Sequence, residues 1–150
     1  MNGTVIMIAL LCACGVAAAG AIVWKRYKYS IFRMNRMSGL KFEKFIARIY
    51  EKSGYKSINT KASGDQGIDL IVKKGFIKTG IQVKRYDRPV GNHAVQEAVA
   101  GKRFYGLDRV AVVTNNTFTR SARELAEANK VELIDGERLQ EMIKRTEKNK

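Results

Sequence analysis

Alternating side chains between Gly64 and Tyr86 (GDQGIDLIVKKGFIKTGIQVKRY) constrain the fold more than any other feature of the chain. The period-two alternation predicts two strands, joined by a turn from Lys74 to Gly80. The apolar side chains predicted to share one face are Ile68, Leu70, Val72, Ile81 and Val83. The two arms are therefore expected to pair as an antiparallel hairpin.

The opposite face of this hairpin carries Asp69, Gln82 and Lys84, provided that the pairing register allows it. An acid, an amide oxygen and an ammonium group would then converge at one end of a sheet. Oxygen ligands suit a hard cation, and positive charge offsets the negative charge that develops when a phosphate is attacked. The alternative is structural, because a lysine at the end of an edge strand also protects a sheet against aggregation.

Five segments resemble, in the same order, the Mrr-type (type IV) restriction endonuclease domain, a branch of the PD-(D/E)xK nuclease superfamily in which Gln replaces the second acid. The resemblance extends from about Ser38 to Ile143. The matching segments are a helix carrying Glu43, GDQGIDL, IQVKRY, VVTNNTFTRSA (Val112 to Ala122) and VELIDGERL (Val131 to Leu139). The resemblance implies a restriction-endonuclease-like α/β/α sandwich with a central mixed sheet.

The resemblance also implies a divalent cation, Mg²⁺ or Mn²⁺, and a set of catalytic residues. Asp69 would be the principal ligand, Gln82 would offer its side-chain oxygen, and the backbone carbonyl of Val83 is a candidate third ligand. Glu43 would bind directly or through water, and Lys84 would orient a water or stabilise negative charge. The alternative for Glu43 is a surface ion pair with a neighbouring lysine. No small-molecule cofactor is expected.

An uncharged apolar run from Thr4 to Trp24 precedes this domain. As a helix it would extend roughly 30 Å, which is about the thickness of a hydrocarbon core. Trp24 and the basic residues from Lys25 onward are typical of a membrane interface, and they predict that the following domain lies in the cytoplasm. A cleaved signal peptide is the rival, but Met1 to Gly3 lacks the basic start of such a peptide.

The predicted organisation is therefore a transmembrane helix over residues 1–24, a basic juxtamembrane linker over residues 25–37 and the nuclease-like domain over residues 38–150. The predicted location is a bacterial-type inner membrane, crossed once, with the N-terminus outside. Within the domain, Ser38 to Lys52 has the apolar stripe of an amphipathic helix, which Gly54 is expected to end. A second helix is predicted to begin with Asn92 as its N-cap. Two strand–helix units follow, with strands at Arg109 to Thr114 and Val131 to Ile134.

The charge distribution favours a polyanionic partner, either nucleic acid or an anionic membrane surface. From Ser38 onward there are 23 basic and 14 acidic residues, and before Ser38 there are five basic residues and no acid. The residues predicted to contact DNA are Lys61, Arg85, Arg88, Lys102, Arg103, Thr117, Thr119 and Arg120. His93 is expected to be structural or to contact DNA. Either Gln96 or Glu97 could face the site, but a solvated helix face is favoured for both.

Three functions fit these observations. The first is a membrane-anchored, Mg²⁺-dependent DNA endonuclease of restriction type. The second is a non-catalytic module that holds DNA near the membrane, and the third is a structure-specific nuclease such as a junction resolvase. A single site per chain implies a homodimer, or two successive nicks, if both strands of a duplex are cut.

Overall fold

The computed structural model describes residues 12, 15, 20, 32–59 and 66–148. The predicted membrane span from Thr4 to Trp24 lies outside these residues, apart from three isolated positions within it, and Lys61 lies outside them too. Residues 32–35 are helical. The elements that follow are α1 (Gly39–Lys52), β1 (Lys56–Asn59), β2 (Leu70–Lys74), β3 (Ile77–Lys84), α2 (Asn92–Phe104), β4 (Arg109–Thr114), α3 (Arg120–Ala128), β5 (Val131–Ile134) and α4 (Gly136–Lys148).

The strands form one five-stranded sheet in the order β1-β2-β3-β4-β5. The first three strands pair antiparallel, and β4 and β5 then add in parallel to β3 and to each other. Parallel neighbours require crossover connections, which α2 and α3 provide. The predicted mixed sheet, including the bounds of its last two strands, is confirmed.

Each face of the sheet is covered by two helices, and each covered face has its own apolar core. On one side α1 and α4 pack over a cluster that includes Phe42, Leu70 and Ile81. On the other side α2 and α3 pack over a cluster that includes Val95 and Val112. Both cores bury side chains of the parallel strands, which explains why β4 reads as a continuous apolar run. The layered α/β/α arrangement therefore follows from burial on both faces.

The turn of the hairpin is shorter than the sequence predicts. Gly75 and Phe76 form the turn, Lys74 pairs with Ile77, and β3 begins at Ile77. Gly75 has a φ of 60°, the left-handed conformation that a two-residue turn favours and that glycine adopts without strain. The prediction that the turn extends to Gly80 was wrong because this glycine lies in the strand.

The helix boundaries agree with their capping signals in two cases and differ in one. Ser38 caps α1 through its hydroxyl group, and Gly54 follows the helix with a φ of 82°. Thr119 caps α3 in the same way. For α2 the prediction of Asn92 as N-cap was wrong, because Gly91 takes the extended cap conformation and Asn92 is already helical. Gly91 has no side chain to accept a bond from the first turn.

The packed domain extends further towards the N-terminus than Ser38. Met34 is completely buried in the α1/α4 core, and the side chain of Asn35 bonds to Asn115 at the end of β4. Residues 34 and 35 are therefore part of the folded domain rather than of a linker. Among the helices in the described part of the chain, none has the length and apolarity that a membrane crossing requires.

Candidate active site

The end of β3 is joined to the segment before β2 through the side chain of Asp69. Its Oδ2 accepts the backbone N–H of Val83 at 2.6 Å. Hydrogen bonds between strands lie in the plane of a sheet, so the carboxylate lies close to that plane, where β2 begins. Val83 lies between Gln82 and Lys84 along β3. The structure therefore brings the three predicted groups to one end of the sheet.

The predicted alternation of the first arm fails at Ile68. Ile68 packs in the α2/α3 core, whereas Leu70 and Val72 pack in the α1/α4 core. The cause is an irregularity at Asp69, whose N–H bonds to the carbonyl of Ile81 although Ile81 pairs with Leu70. Two successive residues thus meet one partner, as in a β-bulge. The carboxylate of Asp69 consequently lies near the sheet plane, immediately before β2 begins.

Gln82 is a buried polar side chain within the sheet. It pairs with Val112, whose side chain lies in the α2/α3 core, and only 4% of its surface is exposed. Within the described part of the chain its Oε1 has no hydrogen-bond partner. A buried carbonyl oxygen without a donor costs about 1–3 kcal/mol. A cation ligand at this oxygen would offset that cost.

Lys84 lies on the same face as Gln82 and contacts α2. Its Nζ is 2.7 Å from Oε2 of Glu97, and the two side chains are 17% and 27% exposed. The other carboxylate oxygen of Glu97 lies 3.3 Å from Nδ1 of His93, one helical turn earlier. Glu97 therefore points into the site, and its prediction as a solvated residue was wrong. Gln96 is exposed, as predicted.

Two glycines let the segment before Asp69 lie directly on α2. A Cβ at Gly67 would be 2.3 Å from the carbonyl oxygen of Glu97, and one at Gly101 would be 2.6 Å from the carbonyl oxygen of Gln66. Gly67 also has a φ of 78°, which larger residues rarely adopt. The absence of a side chain at Gly67 and Gly101 thus lets this turn pack against the backbone of α2.

Asn115 fixes the chain that leaves β3 after Lys84. Its Oδ1 accepts the N–H of Tyr86 at 2.8 Å, and its Nδ2 donates to the carbonyl of Tyr86 at 2.9 Å. The same Nδ2 donates to Asn35 at 2.8 Å. Asn115 is buried, so these bonds replace those that water would make. Sequence reasoning missed this residue, although it lies in the VVTNNTFTRSA segment.

Glu43 lies half-buried on α1 and so approaches the sheet from the face opposite to Lys84. Asp69, in the sheet plane, is between these two layers. Within residues 32–59 and 66–148, no three His, Cys, Asp or Glu side chains group as a metal site. The predicted ligand set does not need such a group, because it includes an amide oxygen and a backbone carbonyl.

The residues predicted to contact DNA fall into two groups. Arg85, Arg88, Thr117, Thr119 and Arg120 follow the carboxyl ends of β3 and β4, where Val90 and Phe118 also pair. Lys102 and Arg103 lie in the last turn of α2. There the Leu107 N–H donates to the Lys102 carbonyl and the Asp108 N–H to Lys78, at the start of β3. This second group thus lies near the start of β3, whereas Lys84 lies at the end of that strand.

Comparison with known proteins identifies the family of this chain. The Mrr_cat family, described as a restriction endonuclease, matches residues 34–143. The chain belongs to the Mrr-type restriction endonuclease family. The match begins at the buried Met34 and contains Asp69, Gln82 and Lys84. The Mrr-type family consists of phosphodiester hydrolases, so the enzyme class predicted from sequence is confirmed at that level.

An Mrr-type relative and three solved structures are similar to parts of the chain. The type IV methyl-directed restriction enzyme EcoKMrr of Escherichia coli (strain K12) is 30% identical over 116 residues, which cover 69% of this chain and 37% of that protein. The chain thus spans little more than a third of this relative. The structure of the DNA modification-dependent restriction endonuclease AspBHI has a TM-score of 0.59 at 15% identity, covering 79% of this chain and 35% of the other.

MspJI restriction endonuclease in complex with a 27-mer oligonucleotide has a TM-score of 0.52 at 22% identity, covering 83% of this chain and 31% of the other. The protein of unknown function AF1548 has a TM-score of 0.53 at 21% identity, covering 62% and 55%. At these identities the structures show the fold alone. The Mrr-type chain therefore has a restriction-endonuclease-like α/β fold, as the sequence predicts.

Proposed function

We propose that this chain is a divalent-cation-dependent endonuclease of restriction type that hydrolyses phosphodiester bonds of DNA. The observation that supports this most directly is the cluster of groups where β2 begins and β3 ends. Asp69 accepts the N–H of Val83. The neighbours of Val83 on β3 are Gln82, whose buried oxygen has no partner among the described residues, and Lys84, whose ammonium group is mostly covered.

The groups at this junction fit a hard cation such as Mg²⁺ or Mn²⁺. Asp69 and Gln82 would supply side-chain oxygens. The carbonyl of Val83 points to the same side of β3 as the N–H that Asp69 accepts. Glu43 would contribute from α1, directly or through water. When bound, the cation lowers the pKa of a coordinated water and stabilises charge on the attacked phosphate.

Lys84 would act on the phosphate rather than on the cation. It is an ammonium donor next to the oxygen ligands, and its exposed fraction is small. In such a site a fixed positive charge stabilises negative charge that develops on a phosphate oxygen more strongly than in water. The same group can orient the attacking water by hydrogen bonding.

DNA would lie along the carboxyl ends of β3 and β4. Arg85, Arg88, Thr117, Thr119 and Arg120 would contact phosphates there, and such contacts carry no sequence information. Lys102 and Arg103 would reach a duplex only at the far end of α2. Two chains, each cutting one strand, would produce a double-strand break, so we propose a homodimer or successive nicks by one chain.

We also propose that residues 4–24 tether the enzyme to the inner membrane with the nuclease domain in the cytoplasm. The support is the uncharged run and its basic flank in the sequence. Membrane fractionation followed by carbonate extraction tests the tether, with a chain that lacks residues 4–24 as the comparison. Recovery of both chains in the soluble fraction would contradict it.

The decisive experiment compares two aspartates that each accept a backbone N–H of β3. Asp69 accepts from Val83, and Asp108 accepts from Lys78 at 2.8 Å. The full chain, purified in detergent, is incubated with plasmid DNA and Mg²⁺ or Mn²⁺. Asp69→Asn is expected to abolish cleavage, whereas Asp108→Asn is expected to leave it intact.

The outcomes separate the three functions. DNA binding without cleavage in any of the three proteins would favour the non-catalytic module and contradict a nuclease. Faster cleavage of branched than of linear duplexes would favour a structure-specific nuclease over a restriction-type enzyme. Equal loss of cleavage in both variants would mean that the Asp69 carboxylate has no special role.

A further inference from the structure

We propose that Glu97 is a positioning residue for Lys84 and acts on catalysis only through it. The kinetic consequence of this inference rests on the proposed nuclease function, whereas the contact between Glu97 and Lys84 does not. Glu97 belongs to α2 and is outside the hairpin that carries the other site residues. Its role would be to hold the lysine ammonium at the end of the sheet where Asp69 and Gln82 lie.

Both oxygens of the Glu97 carboxylate have a contact. Oε2 lies 2.7 Å from Nζ of Lys84, and Oε1 lies 3.3 Å from Nδ1 of His93. His93 is largely exposed, whereas Lys84 and Glu97 are mostly covered. The ion pair is thus on the inner side of the helix and is less screened by solvent than a surface pair.

The backbone of Glu97 is fixed as well as its side chain. The close packing of Gly67 against the Glu97 carbonyl ties this point of α2 to the segment that leads into Asp69. The same segment continues through Ile68, which is buried beneath α2. The position of α2 at Glu97 relative to the segment that leads into Asp69 is therefore set by backbone packing.

A lysine needs such a partner if it is to act as a fixed charge. Its side chain has four rotatable bonds, and an unpaired ammonium near the surface would sample many positions. An ion pair with a carboxylate that is itself fixed selects one of them. The ammonium has three N–H donors, which could contact a phosphate oxygen or a water.

The contact is tested by the reactivity of Lys84, which does not depend on nuclease activity. The full chain in detergent is treated with an acylating reagent, and modification of each lysine is followed by peptide mass spectrometry. Glu97→Gln is expected to raise the modification rate of Lys84 about threefold or more, because the amine is released. Glu141→Gln removes a carboxylate paired with Arg145 on α4 and is the matched control, with no expected change at Lys84.

The catalytic consequence is tested by kinetics in two backgrounds. In the wild-type background Glu97→Gln is expected to lower kcat about tenfold. DNA binding should not weaken, because the substitution removes a negative charge. In the Lys84→Ala background the same substitution is expected to have no further effect. A residue that merely stabilises α2 would lower activity in both backgrounds.

Unchanged Lys84 reactivity in Glu97→Gln would overturn the inference, whether or not the wild-type chain cuts DNA. A second outcome is that the wild-type chain binds DNA without cutting it while Lys84 becomes more reactive in Glu97→Gln. That result would support the contact between Glu97 and Lys84 and contradict the nuclease proposal. Additive losses of kcat from Lys84→Ala and Glu97→Gln would show that Glu97 acts independently of the lysine. Thermal melts of each variant distinguish these outcomes from misfolding.

Discussion

Replacing Gln82 by glutamate should increase the stabilisation of the fold by Mg²⁺, and Gln140 offers a matched position as a control. Gln82 and Gln140 are both buried, at 4% and 2% exposure, and the Oε1 of each has no partner among the described residues. Gln140 lies on α4, beside Leu139 of the opposite core. Gln82→Glu and Gln140→Glu therefore introduce the same group into similar burial, but only one of them lies beside Asp69.

Without a divalent cation both variants should be destabilised. A carboxyl group with an ordinary pKa of about 4.3 that stays protonated in the fold costs about 1.4 kcal/mol for each pH unit above that value, so roughly 4 kcal/mol at pH 7 is the upper bound. Because burial raises the folded-state pKa of such a group, its cost should fall as the pH is lowered towards 4.3. Urea unfolding of the full chain in detergent, with EDTA, measures this cost.

Mg²⁺ should then separate the two variants. At a concentration ten times its dissociation constant, a ligand of the folded state adds about 1.4 kcal/mol, and at a hundredfold excess about 2.7 kcal/mol. Gln82→Glu is expected to gain more from Mg²⁺ than the wild type, because a carboxylate replaces a neutral ligand, and Gln140→Glu is expected to gain nothing beyond it. Equal gains in all three proteins would refute the assignment of a cation to this end of the sheet.

Three further predictions follow from individual residues. Met34→Ala should lower the free energy of unfolding by about 2–5 kcal/mol, as expected for a fully buried side chain; urea denaturation checks this. Burial raises the pKa of Tyr50, so the wild type should lose about 1 kcal/mol of stability between pH 10 and 11 as the folded state resists ionisation, and Tyr50→Phe should remove that loss, measured by denaturation at both pH values. Asn115→Ala should cost about 2–4 kcal/mol and lower cleavage, because the backbone N–H and carbonyl of Tyr86 lose their partners.

The direction in which stability changes with pH at Tyr50 follows from the protonation state that the folded protein favours. Burial favours the neutral phenol, so its contribution is complete below the ordinary pKa of about 10 and is lost as the pH rises above it. An equal loss of stability at alkaline pH in Tyr50→Phe would contradict this reasoning.

For Asn115 the control is Asn129→Ala. The Asn129 side chain bonds to Leu125 in an exposed position, and its removal should cost less than about 1 kcal/mol.

Secondary structure was predictable where a single local rule decides it. The apolar run from Arg109 to Thr114 is buried on both faces, so it has no other stable environment. Ser38 and Thr119 have side chains that can cap a helix, and both do so. The two predictions that failed, the N-cap of α2 and the extent of the hairpin turn, concern positions where two nearby residues satisfy the same local rule. Gly91 and Asn92 are both acceptable N-caps, and the hairpin contains two glycines, of which Gly75 forms the turn.

The site was only partly predictable, because its geometry depends on contacts between distant segments. The sequence places Gln82 and Lys84 on one face through simple alternation. It does not reveal that the chain is irregular at Asp69, which turns Ile68 to the opposite core from Leu70. Nor does helical periodicity identify Glu97, since its inward direction depends on the packing of Gly67 against α2. The spacing of four residues between His93 and Glu97 was the available signal.

The neutral amide at Gln82 also determines the charge that the site presents to a phosphate. Of the proposed site groups, Asp69, Glu97 and Glu43 each carry one negative charge and Lys84 carries one positive charge. With a divalent cation bound, these groups have a net charge of zero. With a carboxylate at position 82 the net charge would be minus one, so attraction for a phosphate would be weaker.

Gln82→Glu is therefore expected to bind Mg²⁺ more tightly and DNA more weakly. Affinity for a short duplex at saturating Mg²⁺, measured by stopped-flow anisotropy before turnover, is expected to fall several-fold, and the difference should shrink as salt is raised. Gln140→Glu carries the same added charge on the other side of the sheet and should bind DNA nearly as the wild type does. If both variants lose affinity equally, the net charge of the whole domain, rather than the charge beside Asp69, determines the affinity of this chain for DNA.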